Sequence, residues 1–524
     1  MFNVLIKNFL ILTVFIICSL EAVPSVLSEN NKKENPYLSE SKKLKLVNFN
    51  DLTETIIRNN QEYAAAMKRF DQASYDLKAI LKLKYPSIDL QSNNLPSYLL
   101  AGEYRNPKYN SLTNLESNQL EASLSAVIKW EIIDPERKPE IAIKRLSLDK
   151  AKNALKTIKN DLILRAQSQY YQLQTVRAKI NVSKIMVDSS RKSLESTITK
   201  NKAMLAPELE VFEAETQLLR DKVLLNNGYR DEAEAIRQLT TTLGLDENYL
   251  AITNNQISIK GLWNNSLEKT KNEALIYNDK LKELDLEIKI AGEQIKKSKA
   301  LLKPKFSIVN TLSGSYKLGE EEVAPPLEND NYERGMNNSI ALTSQWKIFD
   351  AGRSKNLKKK GISRKKEFKA KYEIENNILN KNLENSYASL LSAKQNILNS
   401  YIQVIKQKEI LDISDKRFKA GITNQREIIN NQRDLLFAKN SFIDAVAIYN
   451  NNLINLKRLS GDLDITPCNN NLKKIGNFNN LNIFTEIKYD VCKIDFEKIN
   501  KIEGISKKEE IKEEIKEDLG EEIK

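Results

Sequence analysis

The sequence predicts an α+β fold of unusual proportions: very long antiparallel helices joined to a few amphipathic strands, built from one unit that occurs twice. Three observations carry this. Landmarks recur at a nearly constant offset, the hydrophobic period switches from about 3.6 to 2 and back inside each unit, and two helical stretches run for some 68 residues.

The duplication is read from its landmarks. Trp130-Glu131-Ile132-Ile133-Asp134-Pro135-Glu136-Arg137 returns as Trp346-Lys347-Ile348-Phe349-Asp350-Ala351-Gly352-Arg353, an offset of 216. Upstream, Tyr85-Pro86-Ser87-Ile88 answers to Lys303-Pro304-Lys305-Phe306-Ser307-Ile308, with 218 residues between the prolines. Downstream, Lys202-Ala203, Glu210-Val211 and Gly244 match Lys419-Ala420, Glu427-Ile428 and Gly461, with 217 between the glycines. The units are therefore expected over residues 50–245 and 267–461, joined by a connection at 246–266 that contains Trp263.

Each unit reads helix, two strands, long helix, helix. The first helix is expected over about residues 50–84, where Leu52, Ile56, Tyr63, Ala66, Phe70, Ala73, Leu77 and Ile80 recur at three- to four-residue spacing and Pro86 ends the run. Its counterpart spans about 267–302, before Pro304.

The period then becomes two. Leu120, Ala122, Leu124, Ala126, Ile128 and Trp130 alternate with Glu121, Ser123, Ser125, Lys129 and Glu131. Ile340, Leu342 and Trp346 alternate with Ser339, Thr343, Gln345 and Lys347, and Phe306, Ile308, Leu312 and Tyr316 with Lys305, Ser307, Thr311, Ser313 and Lys317. Such strands fit a half-buried sheet, or a barrel with lipid outside and water inside. Two strands per unit give four per chain, too few to close a barrel. Three copies supplying twelve strands would close one.

Asp134-Pro135 reads as a helix start, N-cap acceptor then proline, and Asp350, with Gly352, serves the second unit. From these points the helices run to Pro207 and Gly421, roughly 100 Å at about 1.5 Å per residue. Leu155, Ile158, Leu162, Ala166, Leu173, Val176 and Ile180 supply a packing stripe on the first. Leu435, Ala438, Phe442, Ala445, Tyr449, Leu453 and Leu456 supply one on the second return helix.

Composition removes most chemistry. The 524 residues contain no histidine and three cysteines, Cys18, Cys468 and Cys492, which excludes histidine bases and triads, histidine metal ligands and zinc clusters. An enzyme is not expected, and no cofactor or metal. Residues 1–28 read as a secretory leader, with Lys7 ahead of an apolar run from Phe9 to Ile17; an uncleaved anchor is the alternative. No other apolar run approaches 18 residues, so any membrane crossing must be made by strands. The net charge of +12 is scattered among Glu along helices, which argues for solvated faces and against nucleic acid. Residues 29–49 form an N-terminal extension, and 462–524 are Asn-rich and then charged, expected to be partly disordered. Cys468 and Cys492 can pair after export or remain free thiols.

With these pieces the sequence resembles the TolC-type outer membrane factors, the exit ducts of multidrug efflux and type I secretion systems. The resemblance rests on the duplication, on Trp346 to Arg353 entering the long helix, and on Phe418-Lys419-Ala420-Gly421-Ile422-Thr423 turning into Glu427-Ile428-Ile429 and Gln432. Tyr449-Asn450 and Leu456-Lys457-Arg458-Leu459-Ser460-Gly461 close the match.

The resemblance implies a homotrimer with a twelve-stranded barrel in outer membrane lipid and a periplasmic tunnel of twelve helices. It also implies conduction without chemistry, and partners in a periplasmic adaptor and an inner-membrane RND or ABC transporter. A ring of acids would narrow the tunnel at the hairpin tips. By position the ring acid falls on Glu427, with Glu210 its first-unit counterpart and Asn430 where a second acid is common in the family.

A structural reading of Glu427 stands beside that one: Asn424 caps the return helix and Glu427 completes a capping box. Gly421 and Thr423 belong to the second hairpin turn; the first, Met204-Leu205-Ala206-Pro207, lacks the glycine. A secreted structural or adhesive coiled coil with a β-rich head is the alternative function.

Overall fold

The computed structural model describes residues 35–38, 42–104, 114–253, 257–321, 332–461, 465–468 and 492. The leader expected over 1–28 and nearly all of the charged tail lie outside the described residues.

Each unit begins with two helices where one was expected. Helices α1 (Leu52–Asn59) and α2 (Gln61–Lys82) are separated by Asn60, and α5 (Leu267–Tyr277) and α6 (Asp279–Ala300) by Asn278. Both asparagines are extended, at ψ 123° and 121°, and both cap the second helix. Asn60 Oδ1 accepts from the Tyr63 N–H at 2.9 Å, and Asn278 Oδ1 from the Lys280 and Leu281 N–H groups at 3.0 and 3.1 Å. An apolar pattern that continues across a break hides it, because the two helices keep the same face inward.

The strands β2 (Ser87–Tyr104), β3 (Asn114–Ile133), β6 (Lys305–Glu321) and β7 (Tyr332–Gln345) form one antiparallel sheet in the order β2-β3-β6-β7. At 14 to 20 residues each exceeds the 9–11 that a tilted strand needs to cross hydrocarbon. The register aligns the apolar positions: Ile88 faces Ile128, Trp130 faces Ile308, and Ile308 faces Leu342. These side chains form one face whose larger members are exposed, Ile88, Leu90, Leu120, Leu124, Ile340 and Leu342 among them. Asn310 and Asn338 interrupt that face and hydrogen-bond each other at 2.9 Å. The opposite face is polar, with Ser307 and Thr343 hydroxyls 2.8 Å apart.

A shared anchor joins sheet to helices in both units. The Trp130 indole donates to the Lys84 carbonyl at 2.9 Å, and the Trp346 indole to the Leu302 carbonyl at 3.0 Å. The long helices α3 (Arg137–Lys202) and α7 (Arg353–Lys419) follow, 66 and 67 residues, each about 100 Å long.

Their starts correct the expectation. The cap positions are Glu136 and Gly352, not Asp134 and Asp350, and Pro135 lies outside α3. The aspartates act from two residues earlier: Asp134 Oδ1 accepts from the Glu136 N–H at 3.0 Å, while Asp350 accepts from the Gly352 and Ser354 N–H groups at 3.0 and 2.7 Å. Pro139 sits in the first turn of α3, where a missing N–H costs nothing.

Return helices α4 (Glu208–Leu243) and α8 (Gln425–Ser460) complete two hairpins. The α8 stripe from Leu435 to Leu456 is buried throughout, as are Leu162 to Ile180 of the α3 stripe. Along the edge helix α2, by contrast, Phe70, Ala73, Leu77 and Ile80 are only half-buried, because α2 packs on α3 alone along most of its length. Gly244 and Gly461 end the return helices in the left-handed conformation, φ 65° and 83°. An added Cβ would lie 2.5 Å from the Asn59 carbonyl oxygen at one and 2.3 Å from Tyr277 Cβ at the other, so both φ and space require glycine.

Midway along the helices, β1 (Lys43–Leu46) pairs in parallel with β4 (Tyr249–Ile252), and β5 (Gly261–Leu262) pairs with β8 (Thr466–Pro467). Cys468 is joined to Cys492, Cα atoms 5.4 Å apart. The Asn35 amide donates to Glu232 at 2.8 Å, and Glu232 also accepts from Arg177 at 2.8 Å, which ties the N-terminal extension to α3 and α4.

Candidate functional site at the helix-hairpin tips

The two tips are built alike. Met204 N–H bonds the Asn201 carbonyl and Leu205 N–H the Lys200 carbonyl; Gly421 bonds Phe418 and Ile422 bonds Arg417 in the same pattern, the signature of a Schellman turn. Met204 supplies the left-handed residue of the first tip, so the missing glycine changes the residue and not the turn.

Glu427 lies in the first turn of α8, half-buried. The Asn424 side chain accepts from its N–H at 3.2 Å, which is one arm of a capping box. The other arm is redirected. The carboxylate accepts instead from the Thr423 hydroxyl, from Ser414 at 3.1 Å and from Arg417 Nη1 at 3.1 Å. The Thr423 hydrogen bond, then Ser414 and the Arg417 charge, hold its pKa below the ordinary carboxylate value. Glu210 occupies the matching first turn of α4, behind the cap residue Pro207, and makes no side-chain ion pair among the described residues. Asn430 is exposed and accepts from Arg433 at 2.9 Å.

A clasp between the hairpins went unread in the sequence. Gln425, fully buried, donates to Ser193 at 2.7 Å and accepts from Thr197 at 3.2 Å. Gln432 donates to Ser189 at 3.0 Å, Lys200 Nζ donates to the Phe418 carbonyl at 2.7 Å and rests on its ring, and Arg426 pairs with Glu213. The signal was available: Gln425 and Gln432 fall seven apart on the buried side of α8, where polar residues persist only with partners.

Lys439, on that same side, is 2% exposed and has no ion-pair or hydrogen-bond partner among the described residues. Burial, reinforced by Lys408, pushes its pKa down to about 8. It lines a groove of about 440 Å³ between α3, α7 and α8, with Ser193, Phe418 and Leu435 in the walls.

A four-stranded wall with an exposed apolar face is thus set on two hairpins of about 100 Å. Residues 271–462 match the family model of the outer membrane efflux proteins, so the second unit carries that family's sequence pattern. The fold is shared with solved outer membrane channels. CmeC of Campylobacter jejuni superposes with a TM-score of 0.63 at 14% identity, over 79% of this chain and 85% of that one. VceC of Vibrio cholerae gives 0.61 at 13% identity over 79% and 96%, and the outer-membrane channel OprN 0.62 at 14% over 79% and 89%. No curated protein matches the sequence.

Proposed function

We propose that three copies of this chain form a duct that carries cargo out across the outer membrane, within a multidrug efflux or type I secretion system. The single observation that supports this best is the sheet with both edges open. Strands β2 and β7 each have one free edge among the described residues, and edges of 14 and 18 residues invite pairing. A β7-to-β2 joint repeated three times gives twelve strands, apolar outside and polar within.

The helices tell the same story. Leu205, Leu209, Phe212, Leu219 and Val223 form an exposed stripe leading into and along α4 at heptad-like spacing, which suits a wall helix of the next subunit. The described helices include none long and apolar enough to cross a membrane, which is compatible with a barrel that does. The adhesive coiled-coil alternative leaves the exposed apolar sheet face without a partner.

In this reading the units 50–245 and 267–461 alternate around the wall, Glu427, Asn430 and Glu210 face the narrow periplasmic end, and the barrel opens to the exterior. A periplasmic adaptor and an inner-membrane RND or ABC transporter supply cargo and energy. The chain itself performs no reaction. Purified protein should run as a detergent-resistant trimer, fractionate with the outer membrane and conduct ions in planar bilayers. A monomer that leaves bilayers silent would end the proposal.

A further inference from the structure

We propose that the junction of sheet and helices is a basic collar that binds anionic phospholipid headgroups of the leaflet facing the tunnel; the inference rests on the barrel reading above. The level of the membrane edge is marked by exposed aromatics, Tyr85, Trp130, Trp346 and Phe349, the residues that favour such a boundary. Exposed cations follow at once. Lys84 and Lys303 flank the two tryptophan anchors, and Arg353, Lys355, Lys358, Lys359 and Lys360 occupy the first two turns of α7.

The charge is not that of an ordinary solvated face. From Ala351 to Lys366 the sequence contains no acid, and none of these seven cations has an ion-pair partner among the described residues. Towards the far end of the same helix three lysines are matched within a turn, Lys406 with Glu409 at 3.0 Å, Lys416 with Asp412 and Lys419 with Asp415 both at 2.6 Å, while Lys369, Lys381, Lys394 and Lys408 stand singly and not in a run. The acids at the junction are engaged elsewhere. Asp134 and Glu136 both hold Lys305, at 3.3 and 2.9 Å, Asp350 accepts backbone N–H groups, and Glu140 pairs with Lys297.

Geometry brings the cations within reach. Arg353 to Lys360 spans about 10 Å along a helix, close to one Debye length at physiological salt. Ser354 and Gly361 are buried, and a Cβ at Gly361 would lie 2.8 Å from Ile295, so this face is turned to α6. Lys355 and Lys358 fall on one flank of that face, Arg353 and Lys360 on the other. Whichever flank points outward is therefore basic. Phosphate diesters with a net negative headgroup fit a row of ammonium groups at this depth; a zwitterionic headgroup gains little.

The test uses the full mature chain as a trimer in nonionic maltoside, offered equal phosphatidylglycerol and phosphatidylcholine, with retained lipid counted by native mass spectrometry. Retention should favour phosphatidylglycerol about tenfold. The preference should fall several-fold in 0.5 M salt and in the combined Lys355→Gln, Lys358→Gln, Lys359→Gln, Lys360→Gln variant. It should survive in a variant with Lys406, Lys408, Lys416 and Lys419 changed to Gln. No preference in the native chain, or equal loss in both variants, overturns the collar. Planar-bilayer conductance of the same samples separates the two failures: a conducting trimer without lipid preference refutes the collar alone, whereas a protein that does not insert refutes the barrel and the collar with it.

Discussion

Met204 and Gly421 hold the same left-handed turn at the two hairpin tips, 217 positions apart, with φ of 59° and 74°. A side chain with a Cβ is strained there by about 1–2 kcal/mol, while glycine costs roughly 0.5–1 in unfolded-chain entropy. Met204 is 95% exposed, so its truncation sacrifices no packing. Met204→Gly is therefore expected to stabilise the protein by about 0.5 kcal/mol and Gly421→Ala to destabilise it by about 1. Thermal unfolding in detergent checks both signs; a lower midpoint for Met204→Gly would mean the methionine is held by a contact outside this chain.

The clasp yields a prediction about the hairpin tips. Gln425, Ser193 and Thr197 link α8 to α3 within a buried seam, and Lys200 ties the second turn through the Phe418 carbonyl. Removing Gln425 takes one of two partners from the fully buried Thr197 hydroxyl, which still donates to the Ser193 carbonyl at 2.9 Å, so the cost is that of an ordinary hydrogen bond, about 1 kcal/mol. Since the bonds join two hairpins and not two turns of one helix, their loss should separate the tips before it unfolds the chain. In the proposed duct, Gln425→Ala with Lys200→Met is expected to raise single-channel conductance in planar bilayers while the subunits stay assembled. Unchanged conductance with a reduced melting temperature would leave the clasp a structural tie.

Much of this was legible because duplication gives each reading a second witness. The tryptophan anchors, the two C-cap glycines and the alternating strands appear in both units, and each landmark meets its structural equivalent. What stayed hidden has physical causes. Asn60 and Asn278 break helices without breaking the apolar stripe, so periodicity passes over them. Asp134 and Asp350 are helix-start signals whose side chains reach forward two to four residues, which shifts the boundary from the residue that sets it. At the tips, Glu427 was correctly placed in the first turn behind Asn424, but which donors its carboxylate would meet depends on Ser414 and Arg417, more than nine residues away along the chain.

Glu427 can be tested in both its roles. Its pKa is depressed from 4.5 by Thr423, Ser414 and Arg417, so the carboxylate remains charged below that value. Any stability it contributes is present above the unfolded pKa and is lost as pH falls through the lower folded one. If three such charges line the tunnel axis, Glu427→Gln weakens cation preference in bilayer recordings, and the native preference persists to below pH 4.5. A selectivity that ignores the substitution, accompanied by a destabilised second tip, assigns Glu427 to fastening Arg417 and Thr423.

Lys439 should weaken the protein at neutral pH. An ammonium without a carboxylate, buried in the seam between α3, α7 and α8 and repelled by Lys408, has its pKa lowered from 10.5 to about 8. Between those values the unfolded chain binds a proton that the folded one does not, so stability rises with pH there; below about 8 the full cost remains. At 1.36 kcal/mol per unit the cost is about 3 kcal/mol. Lys439→Met keeps the stem, removes the charge and is expected to stabilise by about that amount at pH 7. The measurement that decides is the difference between the two proteins in urea midpoint across pH. It should shrink from pH 8 upward and vanish near 10.5. A difference that stays constant with pH would mean that the side chain's volume, and not its proton, is what the seam resists.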